Sequence, residues 1–383
     1  MPVGPKSRST YHPPLGSSSA RTSPKTRSCS QTGKRESLAS TVRAPSSIAR
    51  LRRSRGSRRA FDELVQSLDG KADATAQAIS AKLEHKVASR IPSLIGGSAD
   101  LAESCKTHIK DGGDVQHGAW SGRNLNFGIR EHGMGAIVNG LALSGFFVPF
   151  GSTFLVFSDY MRPSVRLSAL MQQRTLWIYT HDSVLLGEDG PTHQPIEHVA
   201  ALRLIPNLDV VRPADGLECA AAWFHAVSRV DGPTALILTR QKTALLARSA
   251  AFDAREILKG AYILDDVADP ELVFVATGSE VGVAVEAKKL LSSEFRVRVV
   301  SAPCWEAFLR QPASEQERVL GRGIPRVTLE AGRTSLWQGV ALDTGLAIGL
   351  DRFGASAPAE RLADEFGLTA ARVAARIRAR FAG

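Results

Sequence analysis

Two doubly wound, mainly parallel-sheet α/β domains behind a disordered N-terminal tail are what this 383-residue sequence predicts. Three observations carry the prediction. From about residue 75 onward, strand-sized apolar runs alternate with stretches of helical apolar spacing. Those runs are continuously apolar rather than alternating, which is the pattern of strands covered on both faces. The alternation halts once, around residues 243–257, and then resumes, as it would across a linker. At roughly 100 to 200 residues per domain, the length suffices for two real cores.

Residues 1–60 are rich in Ser, Arg and Pro with scattered apolar positions, too few to offset chain entropy, and are expected to be disordered. The same composition also fits an organellar transit peptide, or GC-rich DNA read in a shifted frame. The first domain is expected over 75–245. It reads as a helix at 74–88, a strand at 93–96, a helix at 131–143 and a strand at 146–150. A helix at 154–171, a strand at 175–180, a helix at 196–203, a strand at 208–211, a helix at 217–227 and a strand at 234–238 follow. The second domain is expected over 255–383. It reads as a strand at 271–277, a turn at Gly278-Ser279, a helix at 281–291 and strands at 297–301 and 326–330.

The net charge of +10 resembles a nucleic-acid signature until it is divided along the chain. Residues 1–60 hold 14 Lys+Arg and one acid, Glu36, whereas the remainder sets 34 Lys+Arg against 37 Asp+Glu. The folded part has no basic excess to offer a phosphate backbone, so nucleic acid is excluded as a partner. The longest apolar runs, such as 146–150, are far short of the roughly 20 residues that cross a bilayer, so no membrane span is expected. Four widely spaced cysteines (29, 105, 219 and 304) form no CxxC pair, which suits a reducing, cytoplasmic setting.

The most informative segment is THDSVLLGEDGPTHQP at 180–195. It starts at the C-terminal end of an expected strand, where open α/β sheets place their ligand crevices. Two Gly and two Pro forbid regular structure, so backbone shape holds Asp189 and His193 while His181 sits at the strand end. Two imidazoles and a carboxylate on one loop can orient hydroxyls and move protons near neutral pH. A solvated polar loop is the plain alternative. A zinc cage drawn from His181, Asp189, His193 and His198 fits no standard ligand spacing, and no metal ligand is assigned. Glu131 opens a helix, where a carboxylate ordinarily just complements the dipole. Phe154, Phe157 and Tyr160 fall at three-residue steps, a stripe that ordinarily packs a core.

Together GGSADL (96–101), FGIREHGMGAIVNG (127–140), TFLVFSDYMRPSVR (153–166), HDSVLLGEDGPTHQP (181–195) and DGPTALILTRQ (231–241) resemble transketolase, over about residues 75–383. The resemblance implies thiamine diphosphate as cofactor. Glu131 would stand against N1′ of its aminopyrimidine and favour the imino tautomer that deprotonates the thiazolium. Phe157 would stack on the ring, Phe154 and Tyr160 would complete an apolar pocket, and Asp100 would lie near the cofactor. His181, Asp189, His193, Arg240 and Ser104 would contact the hydroxyls and phosphate of a sugar, with His181 and His193 in catalytic roles. Two positions depart from the family: an arginine before GGSADL is replaced by Gln77, and an asparagine after Ser104 by Cys105.

No segment matches the family's first domain, which carries the Mg²⁺ and the diphosphate. The resemblance therefore implies a component or fragment that transfers a two-carbon ketol unit between sugar phosphates once such a domain completes it. The partner is expected to be a separately encoded diphosphate-binding subunit or a second copy in a homodimer. The alternative is a non-catalytic remnant or oligomerisation module.

Overall fold

The computed structural model describes residues 55–68, 74–243 and 245–381. The expected disorder over 1–60 falls outside these residues up to position 54. From there the structure corrects it: Arg55–Gln66 is a helix. The reason is local burial, since Phe61 is 2% exposed and packs on Phe224 at 5.3 Å between ring centroids.

The first sheet has six strands, all paired in parallel: β2 (Leu94–Ser98), β3 (Asn124–Asn126), β4 (Val148–Phe154), β5 (Leu176–Thr180), β6 (Asp209–Val211) and β7 (Thr234–Leu238). Their order is β3-β2-β4-β5-β7-β6. Every residue of β2, β4, β5 and β7 is buried, because helices Ala76–Arg90, Glu131–Leu143, Ser158–Leu170 and Gly216–Ser228 cover the two faces. A short antiparallel pair, β1 (Ala74–Thr75) with β8 (Lys242–Thr243), closes the edge of this domain.

The second sheet, ordered β13-β12-β10-β11-β9, comprises β9 (Tyr262–Asp265), β10 (Leu272–Ala276), β11 (Val297–Ser301), β12 (Arg326–Leu329) and β13 (Leu346–Ile348). All pairs are parallel except β9 with β11. The stretch expected as a linker is instead fastened down. Arg248 reaches Asp215 at 2.7 Å and the Tyr262 hydroxyl at 2.7 Å, and Leu246 is buried. One apolar cluster contains residues of both domains, among them Val184, Ile196 and Ala221 from the first and Phe274, Val299 and Leu350 from the second.

Two boundaries move in a way that bears on function. The strand expected at 146–150 runs to Phe154, because the small polar residues Ser152 and Thr153 are fully buried within the sheet. The following helix therefore starts at Ser158, after a 3-10 turn over Leu155–Phe157. Phe154, Phe157 and Tyr160 belong to a strand, a turn and a helix rather than to one helical face.

Candidate active site

Parallel register determines where the site forms. Ser98 of β2 pairs with Asn126 of β3 and Ser152 of β4, Phe154 pairs with Thr180 of β5, and Thr180 pairs with Leu238 of β7. The strands thus end nearly level. The residues just beyond them, Asp100, Glu131, Phe157, His181 and Arg240, emerge along one rim of the sheet, the crevice position of open α/β folds. Asp100 and His181 leave their strands in the left-handed region, at φ 62° and 60°. That conformation is uncommon for non-glycine residues and turns the chain sharply at the rim.

His181 lies face-on to Phe154 with ring centroids 3.7 Å apart. Phe154 stacks with Phe157 at 5.8 Å, and Phe157 with Tyr160 at 6.0 Å. His193 meets both phenylalanines edge-on, at 6.4 and 5.7 Å. The row of rings and the two histidines therefore form one cluster. Thr180 Oγ1 is 2.9 Å from His181 Nδ1, and Thr192 Oγ1 is 3.0 Å from His193 Nδ1, so each imidazole is steadied through one nitrogen. Burial pushes the His181 pKa down to about 4, with the nearby Arg240 guanidinium acting in the same direction against Asp189 and Asp182. His181 is consequently neutral at physiological pH and can both accept and donate. Arg240 is exposed and donates to the Leu186 carbonyl at 2.9 Å, which ties it to the same loop.

Glu131 is the first residue of its helix and is 8% exposed. Among the described residues its carboxylate makes no side-chain hydrogen bond or ion pair, and it makes no such contact with the histidine loop. Its helix packs on the helix that bears Tyr160: a Cβ at Gly135, one turn on, would lie 2.6 Å from Ser164 Cβ. The residue is nearly buried, yet its carboxylate oxygens are not sealed off and carry no partner, so they are free to accept from a donor in the crevice. With three stacked aromatic rings on the same rim, the residues fit a flat, hydrogen-bonding heterocycle such as an aminopyrimidine.

Ser104 and Asp100 line a cleft of about 320 Å³ with Ser98, Leu101, Ala102, Glu103, Asn126 and Gly128. Gln77 is 5% exposed and its amide donates to the Ser104 carbonyl. Cys105 is buried beneath this turn and accepts from Thr180 Oγ1 at 3.4 Å, which links the cleft to the His181 strand. Burial raises the thiol's pKa to about 12, so it packs and does not react. His198 is not part of the cluster: its Nε2 lies 3.1 Å from Asp159 Oδ2, and its Nδ1 3.9 Å from Glu197 Oε2.

Sequence reasoning missed the supports. Asp182, next to His181, is held by Arg212 at 2.7 Å and accepts from Thr239 Oγ1 at 2.9 Å. Arg212 is 0% exposed and also bonds Glu280 and the Thr277 hydroxyl of the second domain. Nothing in local periodicity marks such residues, since their partners are distant in sequence.

Comparison with known proteins identifies relatives of both domains. The transketolase pyrimidine-binding domain matches residues 72–244, and the transketolase-like C-terminal domain matches residues 260–369. A plasmid-encoded transketolase of Cupriavidus necator is 47% identical over 335 residues, covering 84% of this chain and 50% of that protein. The structure of transketolase from Leishmania mexicana superposes with a TM-score of 0.77 at 40% identity, over 85% of this chain and 49% of that one. A split-gene transketolase described as an inactive β4 tetramer shares the fold with a TM-score of 0.63 at 24% identity, and 98% of that chain is covered. This chain spans about half the length of the curated relatives it matches. Over its pyrimidine-binding and C-terminal domains, the chain belongs to the transketolase family.

Proposed function

We propose that this chain is the pyrimidine-binding and C-terminal component of a transketolase, moving a two-carbon ketol unit from a ketose phosphate to an aldose phosphate. The observation that carries the reading is the unpartnered carboxylate of the nearly buried Glu131, open to the crevice on the same sheet rim as the stacked rings of Phe154, Phe157 and Tyr160. Thiamine diphosphate, when bound, supplies the nucleophilic carbon that cleaves a ketose beside its carbonyl. Glu131 accepts a hydrogen bond from the ring's N1′. Phe157 stacks on the ring, Phe154 and Tyr160 close its apolar wall, and Asp100 stands near it. His181, kept neutral, and His193 exchange protons with sugar hydroxyls, and Asp189 orients them. Arg240 and Ser104 meet the phosphate, where a planar guanidinium suits the anion.

Ligands for the diphosphate and its Mg²⁺ are assigned to a diphosphate-binding domain of the kind carried by a separately encoded subunit. The helices that would face such a partner expose Ile137, Leu143, Leu167 and Leu170, an apolar face consistent with association. No helix among the described residues is long and apolar enough to cross a membrane, and a cytoplasmic setting fits the cysteine usage. A second reading, a remnant without activity, is favoured by Gln77, whose amide is spent on a backbone carbonyl, and by the two carboxylates, Asp100 and Glu103, at the Ser104 cleft.

Mixing the purified chain with a separately produced transketolase diphosphate-binding half separates the two. Cofactor binding is followed by titration calorimetry and ketol transfer by a coupled assay. Turnover by the mixture alone is expected, with Glu131→Gln lowering it by about 10² to 10⁴-fold at unchanged circular dichroism. Full turnover in Glu131→Gln would defeat the mechanism. A tight complex without turnover would favour the second reading.

A further inference from the structure

Gln194 follows His193 directly and is 2% exposed. Its carboxamide nitrogen lies 3.2 Å from the Val184 carbonyl, 2.9 Å from that of Gly187 and 2.9 Å from that of Ala355. Three acceptors converge on it, so the amide's orientation follows from its partners and the NH₂ must face them. Val184 and Gly187 bracket the 3-10 turn that leads from His181 to Asp189, whereas Ala355 belongs to the C-terminal domain. One side chain therefore ties the start of the loop, the end of the loop and the second domain together. Its Oε1 is buried without a hydrogen-bond partner, so the placement is driven by the nitrogen alone.

The second domain is shaped around this side chain. Gly354 lies flat against it: a Cβ there would overlap Gln194 Oε1, and it would sit 3.2 Å from Val184 Cγ1. Ser356 Oγ adds a tie from the same segment, donating to the Glu188 carbonyl at 2.7 Å. Gly187 and Gly190 carry positive φ, 97° and 81°, and successive turns are closed by local backbone bonds, such as His193 N–H to the Gly190 carbonyl at 3.0 Å, so the external ties are what join this run of turns to the second domain. Between those ties stand Asp189 and His193, on a run of tight turns rather than on a strand or helix.

We propose that Gln194, clamped to the backbone of Ala355, is the positioning residue of the His181–His193 loop, so that the C-terminal domain sets the geometry of the site. The proposal rests on the transketolase reading only for naming what the loop binds; the clamp itself acts without any ligand.

The test uses the full chain with no cofactor. Gln194→Met keeps length and removes the donor, and Gly354→Ala pushes on the amide from the other domain. Loss of one shared donor predicts about tenfold faster amide exchange over 183–193 in both variants, relative to the β10 strand as an internal standard. The His181 titration midpoint, read by NMR, should rise from about 4 toward the ordinary 6.5. Val373→Ala, buried in the far helix Ala370–Phe381, is the control: it should lower overall stability and leave the His181 midpoint in place. If Gln194→Met fails to fold, Gly354→Ala and Ser356→Ala read the same two quantities. An unchanged loop exchange and an unchanged His181 midpoint in the folded variants would overturn the proposal. A loop that loosens as expected in a chain that gives no turnover when mixed with a diphosphate-binding half would sink the functional reading and leave the clamp standing.

Discussion

His181 joins a left-handed backbone, φ 60°, to a ring laid on Phe154 and excluded from solvent. The first feature brings about the second, because the sharp turn at the end of β5 folds the imidazole back over the neighbouring strand. The consequence is a histidine whose folded pKa is depressed to about 4 from an ordinary 6.5. The unfolded chain then binds a proton that the folded chain refuses between those values. The associated stability is fully present above pH 6.5 and is lost as pH falls toward 4. Urea unfolding at pH 7 and pH 5 should therefore differ by roughly 2 kcal/mol more in the wild type than in His181→Asn. Asparagine tolerates the same left-handed backbone, so the substitution removes the titration without forcing the chain. Equal pH dependence in both proteins would show that His181 titrates normally.

At the scale of elements, the paired glycines of GGSADL have a packing reason. A Cβ on Gly96 would overlap the Phe150 carbonyl oxygen, and one on Gly97 would overlap the Leu125 carbonyl oxygen. Both strands approach β2 so closely that no side chain fits. Gly97→Ala should push β3 away, lowering stability by about 1 to 3 kcal/mol and raising exchange over Asn124–Asn126 first. Melting at the wild-type temperature would contradict that packing. The strands and helices of the first domain were legible because each is a local pattern: a continuous apolar run or a 3.6-residue spacing. The antiparallel β9 strand, the short edge strands β3 and β13 and the helix Arg55–Gln66 were not, since each is stabilised by partners far along the chain. Phe154 shows the limit within a single motif. Its spacing to Phe157 and Tyr160 implied one helical face, while burial of Ser152 and Thr153 extended the strand through it.

For the molecule as a whole, buried charge joins the domains. Arg212 bridges Asp182 of the first domain to Glu280 and Thr277 of the second, and Arg203 bonds Glu330 at 2.8 Å beneath Trp337. Gly278, at φ 56°, makes room for this, as a Cβ there would lie 2.6 Å from the Arg212 Cζ. The turn at Gly278-Ser279, visible in the sequence without a purpose, thus receives the first domain's guanidinium. Arg212→Leu strands two buried carboxylates and should cost about 3 to 5 kcal/mol. Calorimetry should then resolve two unfolding transitions where the wild type shows one. A single transition at the original temperature would mean that the network does not couple the domains.

By itself the sequence determined the two α/β domains, their family and the identity of the residues along the sheet rim, because apolar periodicity and contiguous motifs are properties of neighbours in the chain. Only the tertiary structure decided that His181 is stacked and neutral, that Glu131 lacks a partner, and that the second domain grips the histidine loop through Gln194, Ala355 and Ser356. Those facts depend on which distant carbonyls, rings and charges come to lie within a few ångströms, and packing alone sets such distances.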